Sequence, residues 1–276
     1  MLGCDLVALL RERGYRPTVH DLPECDICCH ASLAAACREA AVVVNCAAFT
    51  DVDGAESQPE RARAVNSEAV KHLGELAARA DMYVLHIGTD FVFDGAASGA
   101  YRETDAPRPL SVYGASKLAG ERALTASGCR HAIVRVQWTY GRAGRNFVSK
   151  LLERAATGKE LKIVADQIGA PTWTRDVAGA LLELIEARVT GLYHYAAAGY
   201  ASRFEVAEHI LAELGLQRPL SPCRTSDFAA PAQRPLNSRF DCSKIDALLR
   251  RPRRPWRDAL TEFLQESAVK SGQNRG

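Results

Sequence analysis

Three short apolar runs dominate the first half of the chain: Val42-Val43-Val44-Asn45-Cys46, Tyr83-Val84-Leu85-His86-Ile87 and His131-Ala132-Ile133-Val134-Arg135-Val136. Each is rich in β-branched residues and apolar along its length rather than alternating, which suits a strand covered on both faces. Between them, residues 56–80 and 113–126 carry helical spacing and good helix formers. Parallel strands cannot be joined by a tight turn and need a helical crossover. The alternation therefore confines the chain to βαβ units in an α/β, doubly wound parallel sheet of Rossmann-like type. Residues 16–21 read as one more strand, ending in Asp21.

Beyond residue 141 the pattern loosens. Helices are expected at residues 146–157, 174–187, 203–214 and 256–266, a loop in the proline-rich stretch 219–235, and fraying in the polar residues 270–276. No internal repeat is visible. Residues 1–141 read as a dinucleotide-binding core, and residues 142–276 mainly as a smaller C-terminal substrate lobe with some segments returning to the core. The cleft between the two is the expected ligand site.

Bulk properties exclude several function classes. A net charge of +2 over 276 residues, with Lys and Arg dispersed, leaves no nucleic-acid footprint. No apolar run approaches the ~20 residues of a membrane span, and no signal-peptide pattern opens the chain. Nine cysteines without an export signal suit free thiols in a reducing cytoplasm. Cys25, Cys28 and Cys29 lie near His20 and His30, but no second cysteine pair follows at ligand spacing, so thiols are expected there and no metal. The run Arg250-Arg251-Pro252-Arg253-Arg254 is expected to be a solvated loop.

The chemistry concentrates in Ser111-Val112-Tyr113-Gly114-Ala115-Ser116-Lys117 and the upstream Gly88-Thr89-Asp90. Tyr113 and Lys117 stand one helical turn apart on one face. An ammonium beside a phenol favours the phenolate and is expected to bring its pKa down from about 10. Such a pair is what ketone reduction needs, because an acid must give a proton to the carbonyl oxygen as hydride arrives. Thr89 follows an apolar run and so falls at the carboxyl end of a strand, where open parallel sheets bind ligands.

These residues, with their surroundings, resemble the extended short-chain dehydrogenases that reduce dTDP-4-dehydrorhamnose. The likeness is carried by Asn45-Cys46-Ala47-Ala48-Phe49-Thr50-Asp51-Val52-Asp53-Gly54-Ala55-Glu56, by residues 89–95 and by residues 111–121. Trp138-Thr139-Tyr140-Gly141, residues 166–172 and Arg234-Pro235-Leu236-Asn237-Ser238 extend it in the same order over almost the whole chain. The resemblance implies that Tyr113 protonates a C4 ketone, that Lys117 holds the nicotinamide ribose and tunes Tyr113, and that Thr89 assists at the carbonyl. It implies that Asp90 and Trp138 face a dTDP-sugar substrate. It also implies that Ala47, Ala48 and Phe49 lie beneath an NADPH or NADH cofactor, with Asp26 and Ile27 at its adenine. Related 4,6-dehydratases place an acid directly after the Thr-Asp pair; here Phe91 stands there, which suits hydride transfer without dehydration.

Some positions depart from the family pattern. Gly3 matches the last glycine of the phosphate-binding turn. About ten residues, including the first strand and two glycines, have no counterpart. The true start is expected upstream of Met1, a damaged copy being the other reading, and cofactor affinity is expected to rise when that segment is added. Gly88 replaces a usual serine and is expected to loosen the loop that holds Thr89. Asp21, followed by Leu22 rather than a cation, favours a ribose 2′-hydroxyl and hence NADH, whereas the resemblance implies NADPH or both. Arg175 stands near where some relatives place an acid for an intersubunit ion, so no metal is expected, and a homodimer is left open. Two rival readings are a reductase of another dTDP-4-keto-6-deoxyhexose and a non-catalytic subunit like the one that regulates methionine adenosyltransferase.

Overall fold

The computed structural model describes residues 1–273, with side chains through Ser267. The first half contains α1 (Leu2–Glu12), α2 (His30–Cys37), β1 (Val42–Asn45), α3 (Val52–Ser57), α4 (Pro59–Arg63), α5 (Ala69–Arg79), β2 (Tyr83–Thr89), α6 (Val112–Ala126) and β3 (Arg130–Val136). A single π turn, Ala64–Glu68, joins α4 to α5. There follow β4 (Thr139–Tyr140), α7 (Phe147–Ala155), β5 (Leu161–Val164), β6 (Ile168–Gly169), β7 (Thr172–Trp173), α8 (Thr174–Ala187) and β8 (Gly191–Tyr195). The chain ends with β9 (Ala201–Ser202), α9 (Arg203–Glu213), β10 (Leu220–Cys223), α10 (Ser243–Asp246) and α11 (Trp256–Gln273).

Strands β1, β2, β3 and β8 pair in that order, all parallel. The pleat sends alternate side chains to opposite faces. On β2 and β3, Leu85, Ala132 and Val134 join Leu6 of α1 and Val177, Leu181 and Leu184 of α8 in one apolar cluster. The intervening Val84 and Ile133 join Val70, Leu73 and Leu124 of α5 and α6 in another. Helices thus cover both faces, as the uninterrupted apolar runs require. A separate cluster binds α7, α9 and α11 through Leu151, Ile210, Trp256, Leu260 and Phe263.

Several sequence expectations need correction. Residues 16–20 form no strand, and Asp21 and most of its neighbours are exposed. An extended segment becomes a strand only beside a ladder partner, and no described strand pairs with it. Leu220–Cys223, within the expected loop, pairs with β5 as a two-stranded parallel ribbon. Pro222 is tolerated there because both strands of a two-stranded ribbon are edges. The expected helix over residues 56–80 is three helices and a π turn. The last helix runs to Gln273, so residues 270–273 are helical where fraying was expected, and residues 274–276 lie outside the described residues. The basic run is not merely solvated: Arg250 pairs with Glu186, Arg253 with Asp246, and Arg254 with Asp176 and Glu262.

All nine cysteines are free thiols, Cys25 buried and Cys28 and Cys29 exposed. Among the described residues no three or more His, Cys, Asp or Glu side chains are grouped to hold a metal, and Arg175 is bonded to Glu262 and Glu266. No described helix is long and apolar enough to cross a membrane.

Candidate active site

Strand β2 delivers Thr89 as its last residue, and the hydroxyl caps the short 3-10 turn that follows by accepting from the Phe91 amide (3.2 Å). Ser111 caps α6 by accepting from the Gly114 amide, and Glu56 of α3 accepts from the Val112 amide at 2.8 Å. These two caps fix the first turn of α6, which carries Tyr113. The Tyr113 ring lies edge-on to Phe91 (5.5 Å between centroids) in a small cluster with Phe49, Val52 and Val112. Phe91 is therefore a wall of the tyrosine pocket and carries no titratable group there.

Burial pushes the Tyr113 phenol up to about 12, its hydrogen bond with Thr89 pulling the other way. The direction is opposite to the sequence expectation. The reason is geometric. The Lys117 ammonium, itself pushed down to about 8 by burial, donates to the Ile87 carbonyl oxygen (2.6 Å) and lies 3.3 Å from His86 Nε2. A dry phenol at neutral pH keeps its proton, which is the form an acid needs before it can give that proton away.

Asp90 is 3 % exposed. Ser238 donates to its Oδ2 at 2.6 Å and the Thr89 hydroxyl to its Oδ1 at 3.3 Å. Burial still raises it to about 6. Trp138 is half-buried, with φ 46°, an uncommon conformation for so large a residue. Its indole occupies the space a Cβ on Gly169 would fill, 2.6 Å from Cε2. The Arg203 guanidinium carbon sits 3.6 Å from the Trp138 ring centroid.

The residues expected near a cofactor fall into two groups. Ala47 donates to Asn45 Oδ1 (3.1 Å), and Phe49 is pinned by Asn66, which accepts from its amide and donates to its carbonyl oxygen. Asn66 also donates to Ser116 on α6, so this loop and the tyrosine helix are tied together. Gly3, in the first turn of the 11-residue α1, faces Cys46 just past β1, and a Cβ there would make an ordinary contact at 3.7 Å. A helix N-terminus at the carboxyl end of a parallel strand is a suitable place for a diphosphate, and with the buried Lys117 ammonium it fits a nicotinamide dinucleotide. Asp21 and Asp26 instead lie exposed and accept from their neighbouring Leu22 and Cys28 amides, while Ile27 packs under β1. Neither acid is hydrogen-bonded to Tyr113 or Lys117.

Gly88 is no slack point. A Cβ there would come within 2.5 Å of Glu121 Oε1 and 2.7 Å of Arg135 Cγ, so its bareness makes room for the buried Glu121–Arg135 ion pair (2.7 Å).

Sequence reasoning missed His86, Asn66, Ser238 and Arg203. A histidine inside an apolar strand was a visible signal for the first. His86 is fully buried, with Asn45 Nδ2 3.2 Å from its Nδ1 and Lys117 Nζ on the other side. Burial holds it well below the ordinary imidazole range, so the ring stays neutral and accepts at one nitrogen only, from the Asn45 amide or from the Lys117 ammonium. It therefore packs between the lysine and the end of β1. The roles of the other three depend on long-range packing, which leaves no local mark.

The chain matches the family model described as the RmlD substrate binding domain over residues 1–269. It is 38% identical over 257 residues to a protein of Sinorhizobium fredii named dTDP-4-dehydrorhamnose reductase, covering 87% of each chain. The fold superposes on the crystal structure of a dTDP-4-dehydrorhamnose reductase from Clostridium acetobutylicum with TM-score 0.93 and 32% identity, covering 97% of this chain and 96% of that one. The corresponding Bacillus anthracis enzyme, solved in complex with NADP, gives TM-score 0.92 and 30% identity, over 96% and 95%.

Proposed function

The chain belongs to the RmlD family of dTDP-4-dehydrorhamnose reductases, and from that premise we propose that it reduces the C4 ketone of dTDP-4-dehydro-6-deoxy-L-mannose to give dTDP-L-rhamnose, using NADPH or NADH. What supports this reading is the buried Tyr113 in the first turn of α6, near Thr89 at the carboxyl end of β2, with its phenol pushed up by burial. Tyr113 gives its proton to the C4 oxygen, and Thr89 orients that oxygen. Lys117, charged below about pH 8, holds the nicotinamide ribose and stabilises the phenolate left behind. The dinucleotide, when bound, supplies the hydride.

Residues that would hold it are Gly3 at the start of α1, Ala47, Ala48 and Phe49 after β1, and Asp21, Asp26 and Ile27 towards the adenosine. Asp90 and Trp138 face the sugar. Phe91 offers no acid or base beside Tyr113, which favours simple reduction over loss of water. Residues 1–141 then serve mainly as the dinucleotide core and residues 142–276 mainly as the substrate lobe. A cytoplasmic setting suits nine free cysteines.

The test is Tyr113→Phe. Removing a general acid lowers turnover by about 10²–10⁴-fold, so cofactor oxidation with dTDP-4-dehydrorhamnose should collapse while the thermal midpoint stays near that of the parent. Unchanged turnover would remove Tyr113 from the reaction. A parent chain that binds the substrate without oxidising cofactor would favour the non-catalytic reading.

A further inference from the structure

Arg203 is the first residue of α9, a helix whose start is fixed by a reciprocal cap between Ser202 and Glu205. Its side chain lies against two rings: the guanidinium carbon is 3.6 Å from the Trp138 centroid and 4.9 Å from that of Phe147. Stacking fixes the plane of the group but uses none of its five N–H donors. Arg203 makes no hydrogen bond or ion pair among the described residues. Its neighbour Arg234 is different: it donates to Asp53 Oδ2 at 2.6 Å and to the Ala232 carbonyl oxygen at 2.9 Å. The buried carboxylate that Arg203 senses is Asp90, already occupied by Ser238 and Thr89. A half-buried cation with an oriented and unused donor fork is arranged for an anion from outside the chain.

The neighbours of Arg203 narrow the choice of anion. Trp138 and Asp90 are the two positions assigned to the sugar, and Arg203 touches the first and is electrostatically coupled to the second. In a dTDP-sugar the charged group next to the sugar is the diphosphate. We propose that Arg203, stacked on Trp138, is the residue that binds the diphosphate of the sugar nucleotide. This rests on the sugar-nucleotide reading above. The stack has a second consequence: the same indole that faces the sugar also sets the plane of the arginine, so sugar and diphosphate are registered by one rigid unit.

The experiment is calorimetric titration of dTDP, thymidine and inorganic pyrophosphate into the full chain and into Arg203→Met and Arg203→Lys. Methionine keeps an apolar chain against Trp138, and melting curves confirm that each variant is folded. The expected result is a tenfold or greater weakening of dTDP in Arg203→Met with thymidine unchanged, partial recovery in Arg203→Lys, and pyrophosphate competing with dTDP only where the cation remains. If dTDP and thymidine weaken by the same factor, Arg203 merely props Trp138 and the proposal fails. It fails equally if dTDP binding does not change. Pyrophosphate binding that depends on Arg203, in a chain that turns over no 4-keto sugar nucleotide, would uphold the anion site and refute the reaction instead.

Discussion

Asp90 sits where two demands conflict. In the sugar-facing role proposed for it the carboxylate must be charged to accept hydroxyls strongly, yet its site is dry enough to raise it to about 6 from an ordinary 3.8. Between those two pH values the folded chain holds a proton that the unfolded chain has released. The stabilisation is therefore complete below about 3.8 and is lost as pH rises through 6. A rise of that size corresponds to roughly 2–3 kcal/mol. Asp90→Asn should thus stabilise the protein at pH 8 by up to about that amount and leave it nearly unchanged at pH 4, read from urea denaturation at both pH values. An equal gain at both would show that the carboxylate is not strained in the native state. The sequence marked Asp90 by its place after Thr89. It did not mark the raised pKa, because the packing that dries the site, and the Ser238 hydrogen bond that opposes the rise from 148 residues away, are invisible to local reading.

Helix α6 shows why some elements are legible and others are not. Its serine cap, its period and its Tyr-Lys spacing are all local, and the structure starts it at Val112, one residue before the sequence estimate. Helices α8 and α9 start at Thr174 and Arg203, where the sequence reading placed them. Residues 16–21 misled because β-rich composition is local whereas a ladder partner is not. The π turn at Ala64–Glu68 had no sequence mark either, since it exists to set Asn66 against Phe49 and Ser116. That turn also packs against α6 without an intervening side chain: a Cβ on Gly120 would overlap the Asn66 carbonyl oxygen. Helix propensity alone favours alanine over glycine by about 1 kcal/mol. Overpacking a rigid contact costs about 1–3 kcal/mol, or more where backbone must move. Gly120→Ala should therefore lower stability despite the better helix former, and a denaturation midpoint above that of the parent would show that the two segments can separate without loss.

Across the whole molecule the apolar clusters divide the chain unevenly. Two of them share the parallel sheet, one on each face, and were foreseeable from the three apolar runs. The third, around α7, α9 and α11, belongs to the less regular half, and its helices were recognisable where their mutual packing was not. Asp53 reaches across from α3 to hold Ala232 and Arg234, one of the polar links between the two halves of the sequence. Because the third cluster shares no side chains with the other two, it is free to open on its own clock. Native-state amide exchange should separate into two tiers, with β2 and β3 exchanging only through global opening and α7 and α9 through a smaller excursion. Under the proposed function a ligand bridging the two parts would slow the faster tier most, so the protection gained on adding dTDP would map, amide by amide, how far that ligand reaches into the less regular half.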